Sequence, residues 1–177
     1  SVGCSKSETW LRLGIDIGGT KTALALGDAA GHVIADVRVP TAPSGDALRD
    51  FARIASAAQA LLAGQGVRGP ELEIVGVSLP GGVDPHGAFV RNPPNLPGWD
   101  GAPVRAALSE ALGARVVLEN DANAAALAEW RFGAARGFQH AVYLTMSTGV
   151  GGGLILGGRL HRGDANLGGE VGHIPVV

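Results

Sequence analysis

Apolar and polar positions alternate along the chain with two different periods. In LRLGIDI (11–17), TALALGD (22–28) and HVIADVRV (32–39) the apolar residues form strand-length runs separated by glycine-containing turns, which predicts three strands in an antiparallel meander. Residues 46–63 switch to helical spacing, with Leu48, Phe51, Ile54, Ala55, Ala58, Leu61 and Leu62 on one stripe, Ser44 or Asp46 as a candidate cap and Gly64 as the stop. LEIVGVSL (72–79) is almost continuously apolar and ends at Pro80-Gly81-Gly82, the pattern of a buried strand feeding a loop. A short helix over 103–112 stopped by Gly113, a buried strand over 114–120 and a helix over 122–132 stopped by Gly133 come next. HAVYLTM (140–146) and GGLILGG (152–158) predict a second glycine-linked strand pair, whereas residues 1–10 carry no period and no signal-peptide core and read as a mobile lead.

Shifting the chain by 130 residues superimposes Gly19 on Gly149, Leu24 on Leu154, Leu26 on Leu156 and Gly27 on Gly157. Both segments read strand, glycine turn, strand. This suggests two related halves whose hairpins present their turns to a shared cleft, with coincidence among glycine-rich hairpins as the competing explanation.

Composition narrows the class. The 177 residues are enough for one large domain or one and a half ordinary ones, and 46% hydrophobic against 17% charged excludes intrinsic disorder. Lys and Arg number 14 against 16 Asp and Glu, a net charge of -2, so no basic surplus points to nucleic acid. No apolar run is long enough for a membrane-crossing helix. The single cysteine, Cys4, excludes a disulfide within the chain and a local multi-cysteine metal knuckle, and a reducing cytoplasm is the expected compartment. The 29 glycines cluster at Gly18-Gly19, Gly81-Gly82, Gly149 to Gly153 and Gly157-Gly158, where backbone can approach a ligand closely.

Five segments carry candidate chemistry. IDIGGTKTAL (15–24) fits neither the Walker pattern nor G-x-G-x-x-G, but it places the carboxylate of Asp16 at a strand end, before two glycines, a hydroxyl and a lysine. Turn amides there can hold phosphate oxygens and Asp16 can hold Mg²⁺ directly or through water; a plain hairpin turn is the alternative. In LENDANAAALAEW (118–130) a strand ends at Glu119-Asn120-Asp121 and a helix begins, at the sheet edge where open α/β folds place ligands. Asp121 could take a proton from a substrate hydroxyl that Asn120 orients, or could simply cap the helix. STGVGGGLILGGRL (147–160) offers Ser147, Thr148, Gly149, Gly151, Gly152 and Gly153 as donors to a phosphate, or as a flexible hairpin. NLGGEVGH (166–173) sets Glu170 and His173 three apart in a glycine-rich loop, too few donors for a zinc site. RNPPNLPGW (91–99) is a proline-stiffened loop presenting Asn92, Asn95 and Trp99, groups suited to hydrogen-bonding and stacking on a polyol.

In this order the motifs resemble the ROK family of sugar kinases and sugar-responsive repressors, from Leu11 to Val177. The resemblance implies an α/β, actin/hexokinase/Hsp70-like (ribonuclease H-like) fold, with an N-terminal domain over 11–118 and the start of an incomplete second domain over 119–177. It implies ATP-dependent phosphorylation of a hexose, with Asp121 as the base on the 6-hydroxyl and Asn95, Asn120, Glu170, His173 and Gly82 on the sugar. Gly18, Gly19, Thr20 and Lys21 would form the first phosphate loop, Thr148, Gly149 and Gly151 the second, and Asp16 would organise Mg²⁺. NLPGW and ENDANAA are most similar to glucokinase-type members, so glucose is the expected substrate; a non-catalytic sugar sensor and an actin-like ATPase fragment are the alternatives. Family repressors carry a helix-turn-helix that the ten residues before Leu11 do not supply, so no nucleic-acid partner is expected. The family continues beyond GEVGH with a C-x-C-G-x-x-G-C zinc segment whose cysteines are not present here, and His173 would bind Zn²⁺ only with that segment. The expectation is a fragment or a degenerate member that exposes apolar surface and forms a homodimer or higher homo-oligomer.

Overall fold

The computed structural model describes residues 10–146 and 149–173. Expectations on the lead before Trp10, on Cys4, on Ser147 and Thr148, and on the His173 side chain lie outside that description. The meander forms as β1 (Leu11–Ile17), β2 (Lys21–Gly27) and β3 (Val33–Pro40), followed by α1 (Ala47–Gly64). β4 (Leu72–Leu79) pairs in parallel with β1. A ribbon of β5 (Gly82–Val83) and β6 (Val90–Arg91) then precedes α2 (Val104–Leu112). β7 (Val116–Asn120) adds in parallel to β4, giving a five-stranded sheet of order β3-β2-β1-β4-β7. α3 (Asp121–Phe132) leads into β8 (Ala141–Met146), β9 (Val150–Leu156) and β10 (Arg159–Leu160), a second sheet of order β10-β9-β8.

Period-two alternation decides which face of the first sheet is covered. Leu13, Ile15 and Ile17 of β1, Leu24 and Leu26 of β2, and Val75, Val77 and Leu79 of β4 all point to one side. There α1 contributes Phe51, Ile54, Ala55, Ala58 and Leu62, and α2 contributes Val104, Leu108 and Leu112. The opposite face carries Gly14, Asp16, Ala23, Ala25, Gly76 and Ser78, and lines an open groove of about 440 Å³ beside Ala124 and Leu127 of α3.

Two sequence expectations are corrected here. Leu48 is 60% exposed; the buried stripe of α1 instead begins with Ala47 and Asp50, because the Asp50 carboxylate finds internal partners. Of the two candidate caps, Asp46 serves: its carboxylate accepts from Arg49 N at 3.2 Å. The repeated hairpin is present in both sheets, yet not at a constant shift. Ile17 and Thr22 are the last pair before the first turn, Met146 and Val150 the last before the second, so the second turn is one residue shorter. Among the described residues no helix is long and apolar enough to cross a membrane.

Candidate active site

β1, β4 and β7 run in parallel, so the turn after Ile17, the loop after Leu79 and the start of α3 share one edge of the sheet. The first turn is tightly braced. Gly18 N donates to Lys21 O at 2.9 Å, Thr41 N donates to Thr20 O at 2.9 Å, and Thr41 Oγ1 donates to the Gly18 carbonyl at 2.6 Å. Gly19 is required by a close approach: a Cβ there would lie 2.7 Å from the Asn95 Cβ. The proline-rich loop therefore rests directly on the candidate phosphate turn.

That loop is anchored by Trp99, which overturns its expected role as a stacking surface. Trp99 is 0% exposed, sits edge-on to Phe51 with ring centroids 4.6 Å apart, and donates from Nε1 to Asp50 Oδ2 at 3.0 Å. An indole offers more apolar area than any other side chain and one donor, so burial beside a carboxylate satisfies it better than a place in solvent. Burial alone would raise the Asp50 pKa, but the bonds from Trp99 and from Ser44 N, together with the Arg53 charge, hold it below the usual carboxylate range.

A cavity of about 970 Å³ opens at the edge of the first sheet, between the loop after β4 and the second hairpin. Asn120, Asp121, Glu170, Gly82, Gly149 and Gly151, all singled out from the sequence, line it. Asn95, Asp16 and the turn from Gly18 to Lys21 do not; they lie alongside. Arg91, Asp84 and Leu167 line it without having been singled out. Asp84 is buried and accepts from the amides of His86 (3.0 Å), Ala88 and Phe89 (2.7 Å), which builds the turn of the β5–β6 ribbon. Desolvation pushes its pKa up, yet these amides hold it below the ordinary value.

At the head of α3 the labour is divided differently from the simplest expectation. Asn120, not Asp121, is the cap: its Oδ1 accepts from Ala122 N at 3.0 Å and Asn123 N at 3.2 Å, while its Nδ2 donates to the Gly81 carbonyl at 3.1 Å. Asp121 occupies the first helical position, and its Oδ1 accepts from the Ala122 amide at 2.9 Å. Partial removal from water raises its pKa and the charge of Asp16 adds to the rise, against the lowering bond from Ala122. Asp16 accepts from Ser78 Oγ at 2.6 Å through one oxygen. A single carboxylate at such a strand end suits Mg²⁺, which keeps several waters and takes few protein ligands. Among the described residues no three carboxylate, imidazole or thiol groups converge, so they do not furnish a four-donor zinc site.

The glycines of the second hairpin have separate causes. A Cβ on Gly153 would lie 2.5 Å from Ala126 Cβ and 2.9 Å from Ala122 O, so this glycine seats β9 on α3. Gly149 has open space around it, as a ligand-facing turn requires. Residues 161–170 then cross back to the first sheet. Arg162 donates to Glu119 Oε2 from Nε at 2.9 Å and from Nη2 at 2.6 Å, and Asn166 Nδ2 donates to the Val83 carbonyl at 3.0 Å. Nothing in the local pattern announces these pairs, which join residues far apart in sequence.

A meander extended by two parallel strands, followed by a helix into a second meander, defines the actin/hexokinase-like class of α/β proteins. The chain superimposes with a TM-score of 0.83 on a ROK hexokinase from Thermus thermophilus, at 44% identity over 94% of this chain and 54% of that one. A ROK glucokinase from Streptomyces griseus, solved in complex with glucose and AMPPNP, gives a TM-score of 0.79 and 40% identity over 94% and 51% of the two chains. The glucokinase of Streptomyces coelicolor is 37% identical over 167 residues, 94% of this chain and 50% of that protein. Residues 12–177 match the ROK family, and the chain belongs to it. It spans about half the length of the curated relatives it matches.

Proposed function

We propose that this chain carries the sugar-accepting face of an ATP-dependent hexose kinase acting on glucose, with Asp121 as the general base. One observation carries the reading: the helix cap has passed to Asn120, leaving the Asp121 carboxylate on the cavity wall with its proton affinity raised. A raised value brings a carboxylate nearer the working pH and makes it a better acceptor. In the transfer, Asp121 takes the proton of the sugar's 6-hydroxyl, the freed oxygen bonds to the γ-phosphorus, and the bond to the bridging oxygen breaks to release ADP. Glu170 and Asn120, on the same cavity, would hold the other hydroxyls. Asn95 reaches the sugar from its place against Gly19, and the turn from Gly18 to Lys21 with Gly149 and Gly151 receives the phosphates. Mg²⁺, held through Asp16, would neutralise charge on the transferring group. Similarity to glucokinases supports glucose as the substrate, and the reading extends to a cytoplasmic homo-oligomer.

The test is ADP release from Mg-ATP with a panel including glucose, fructose and N-acetylmannosamine, and Asp121→Asn as the blank. Turnover with glucose that vanishes in the blank is the expected result. Turnover that persists in Asp121→Asn would refute the assignment of Asp121 as the base.

A further inference from the structure

The segment 161–170 contributes Ala165, Leu167 and Glu170 to the lining of the cavity, to which the first half of the chain and the head of α3 contribute Gly82, Asn120 and Asp121. It is compact in itself, since Gly168 N donates to the Arg162 carbonyl at 2.6 Å and Asn166 turns with φ +61°. What it leans on is the first half of the chain. Glu119 is the penultimate residue of the outer strand β7, two residues before Asp121, and its Oε2 receives both Arg162 donors. Its Oε1 accepts from Asn123 Nδ2 and from Asn120 N, each at 3.1 Å, so the same carboxylate grips the first turn of α3. Asn166 makes a second attachment on the Val83 carbonyl, and Leu167 Cδ2 lies 3.6 Å from where a Cβ on Gly82 would stand.

Isolated surface ion pairs add little, because two flexible side chains must be ordered in water. This pair differs in two respects. The guanidinium presents Nε and Nη2 together to one oxygen of a side chain only 14% exposed, and that carboxylate is already fixed by two further donors. A rigid link thus runs from the Glu170 wall, through Arg162 and Glu119, to the backbone that carries Asn120 and Asp121.

We propose that Glu119 and Arg162, assisted by Asn166, are positioning residues that set the separation of the two cavity walls and thereby the affinity for the sugar, without touching it. The proposal rests on the kinase reading only for the identity of the ligand. Loss of a charge-assisted pair of this kind is expected to weaken sugar binding about tenfold.

Two measurements decide it. In a Cys4→Ser background, spin labels at Glu110→Cys on α2, which packs on the first sheet, and Asp164→Cys report by pulsed dipolar spectroscopy how firmly the segment is held to the first half of the chain. Wild type is expected to give one narrow distribution, Arg162→Ala and Glu119→Gln a broadened one, and Arg162→Lys a distribution between them. Glucose titration by calorimetry is expected to follow the same ranking, with Arg162→Ala and Glu119→Gln non-additive in the double variant. An unchanged distribution in Arg162→Ala overturns the proposal, as does a broadened one with wild-type affinity, since the pair would then merely anchor a loop. If wild type binds no hexose, the kinase reading fails, and the distance measurement alone decides the clasp.

Discussion

Replacing Trp99 by Phe tests whether the proline-rich loop is held as described. The change removes the donor to Asp50 Oδ2 and shrinks a fully buried ring, while an aromatic edge remains for Phe51. A hydrogen bond to a buried charged group contributes about 1.5–3 kcal/mol. The smaller ring leaves a void and loses buried area, for roughly 1 kcal/mol more. The variant is therefore expected to lose about 2.5–4 kcal/mol, lowering Tm by some 5–15 °C for a chain of this length. Urea unfolding followed by far-UV circular dichroism measures it, and a cycle with Asp50→Asn should show a coupling above about 1 kcal/mol. The pH dependence carries a sign. Because the Asp50 pKa is depressed on folding, its stabilisation is complete above the ordinary carboxylate value and is lost as pH falls through the lowered one. Trp99→Phe brings the folded value back toward the ordinary one, so the acid loss should begin at the same pH, set by the unfolded carboxylate, but be smaller and finish at higher pH. A variant within about 0.5 kcal/mol of wild type would refute the account.

Asp121→Asn is expected to cut turnover by about 10²–10⁴-fold while leaving sugar affinity within a few-fold, and equal loss of binding would make Asp121 a positioning group. The acid limb of kcat against pH should lie above the ordinary Asp range, since partial desolvation and the Asp16 charge both raise the Asp121 pKa; a limb at or below that range would refute the poised base. Gly153→Ala should cost about 1–3 kcal/mol by overpacking against α3, whereas Gly149→Ala, in open space, should leave Tm nearly unchanged and act on turnover; denaturation curves separate the two. Val142, Leu144 and Met146 on β8 are 63%, 58% and 82% exposed, so the chain should self-associate and Leu144→Lys should weaken that association; light scattering showing a wild-type monomer at high concentration would contradict it.

The sheet order was half legible. Strands and helices announce themselves through period two and period 3.6, and the parallel addition of β4 and β7 fits their continuous apolar runs. The β5–β6 ribbon, two residues a side, is too short to leave a period. The cavity residues that could be named from sequence, Asn120, Asp121, Glu170 and the glycines, sit where elements end, and element ends are readable. Asp50, Glu119 and Arg162 could not be placed so, because burial of a charge depends on a partner that is remote in sequence. Trp99 failed for the same reason: an aromatic in a loop is equally suited to a ligand and to a core until its N–H partner is known. Asn120 and Asp121 are both good caps by composition, and only the backbone, extended at Asn120 and helical after it, assigns the duty.

Three consecutive residues at the junction of β7 and α3 perform three unlike tasks: Glu119 holds the far wall, Asn120 closes the helix, and Asp121 faces the cavity. Each direction is fixed by count alone, since a strand turns its side chains over at every residue and a helix rotates them by about 100°. Individual side chains here can be exchanged with graded losses. Adding or deleting a single residue between Val116 and Ala122 would instead reassign all three tasks at once, so this stretch should tolerate changes of letter far better than changes of length.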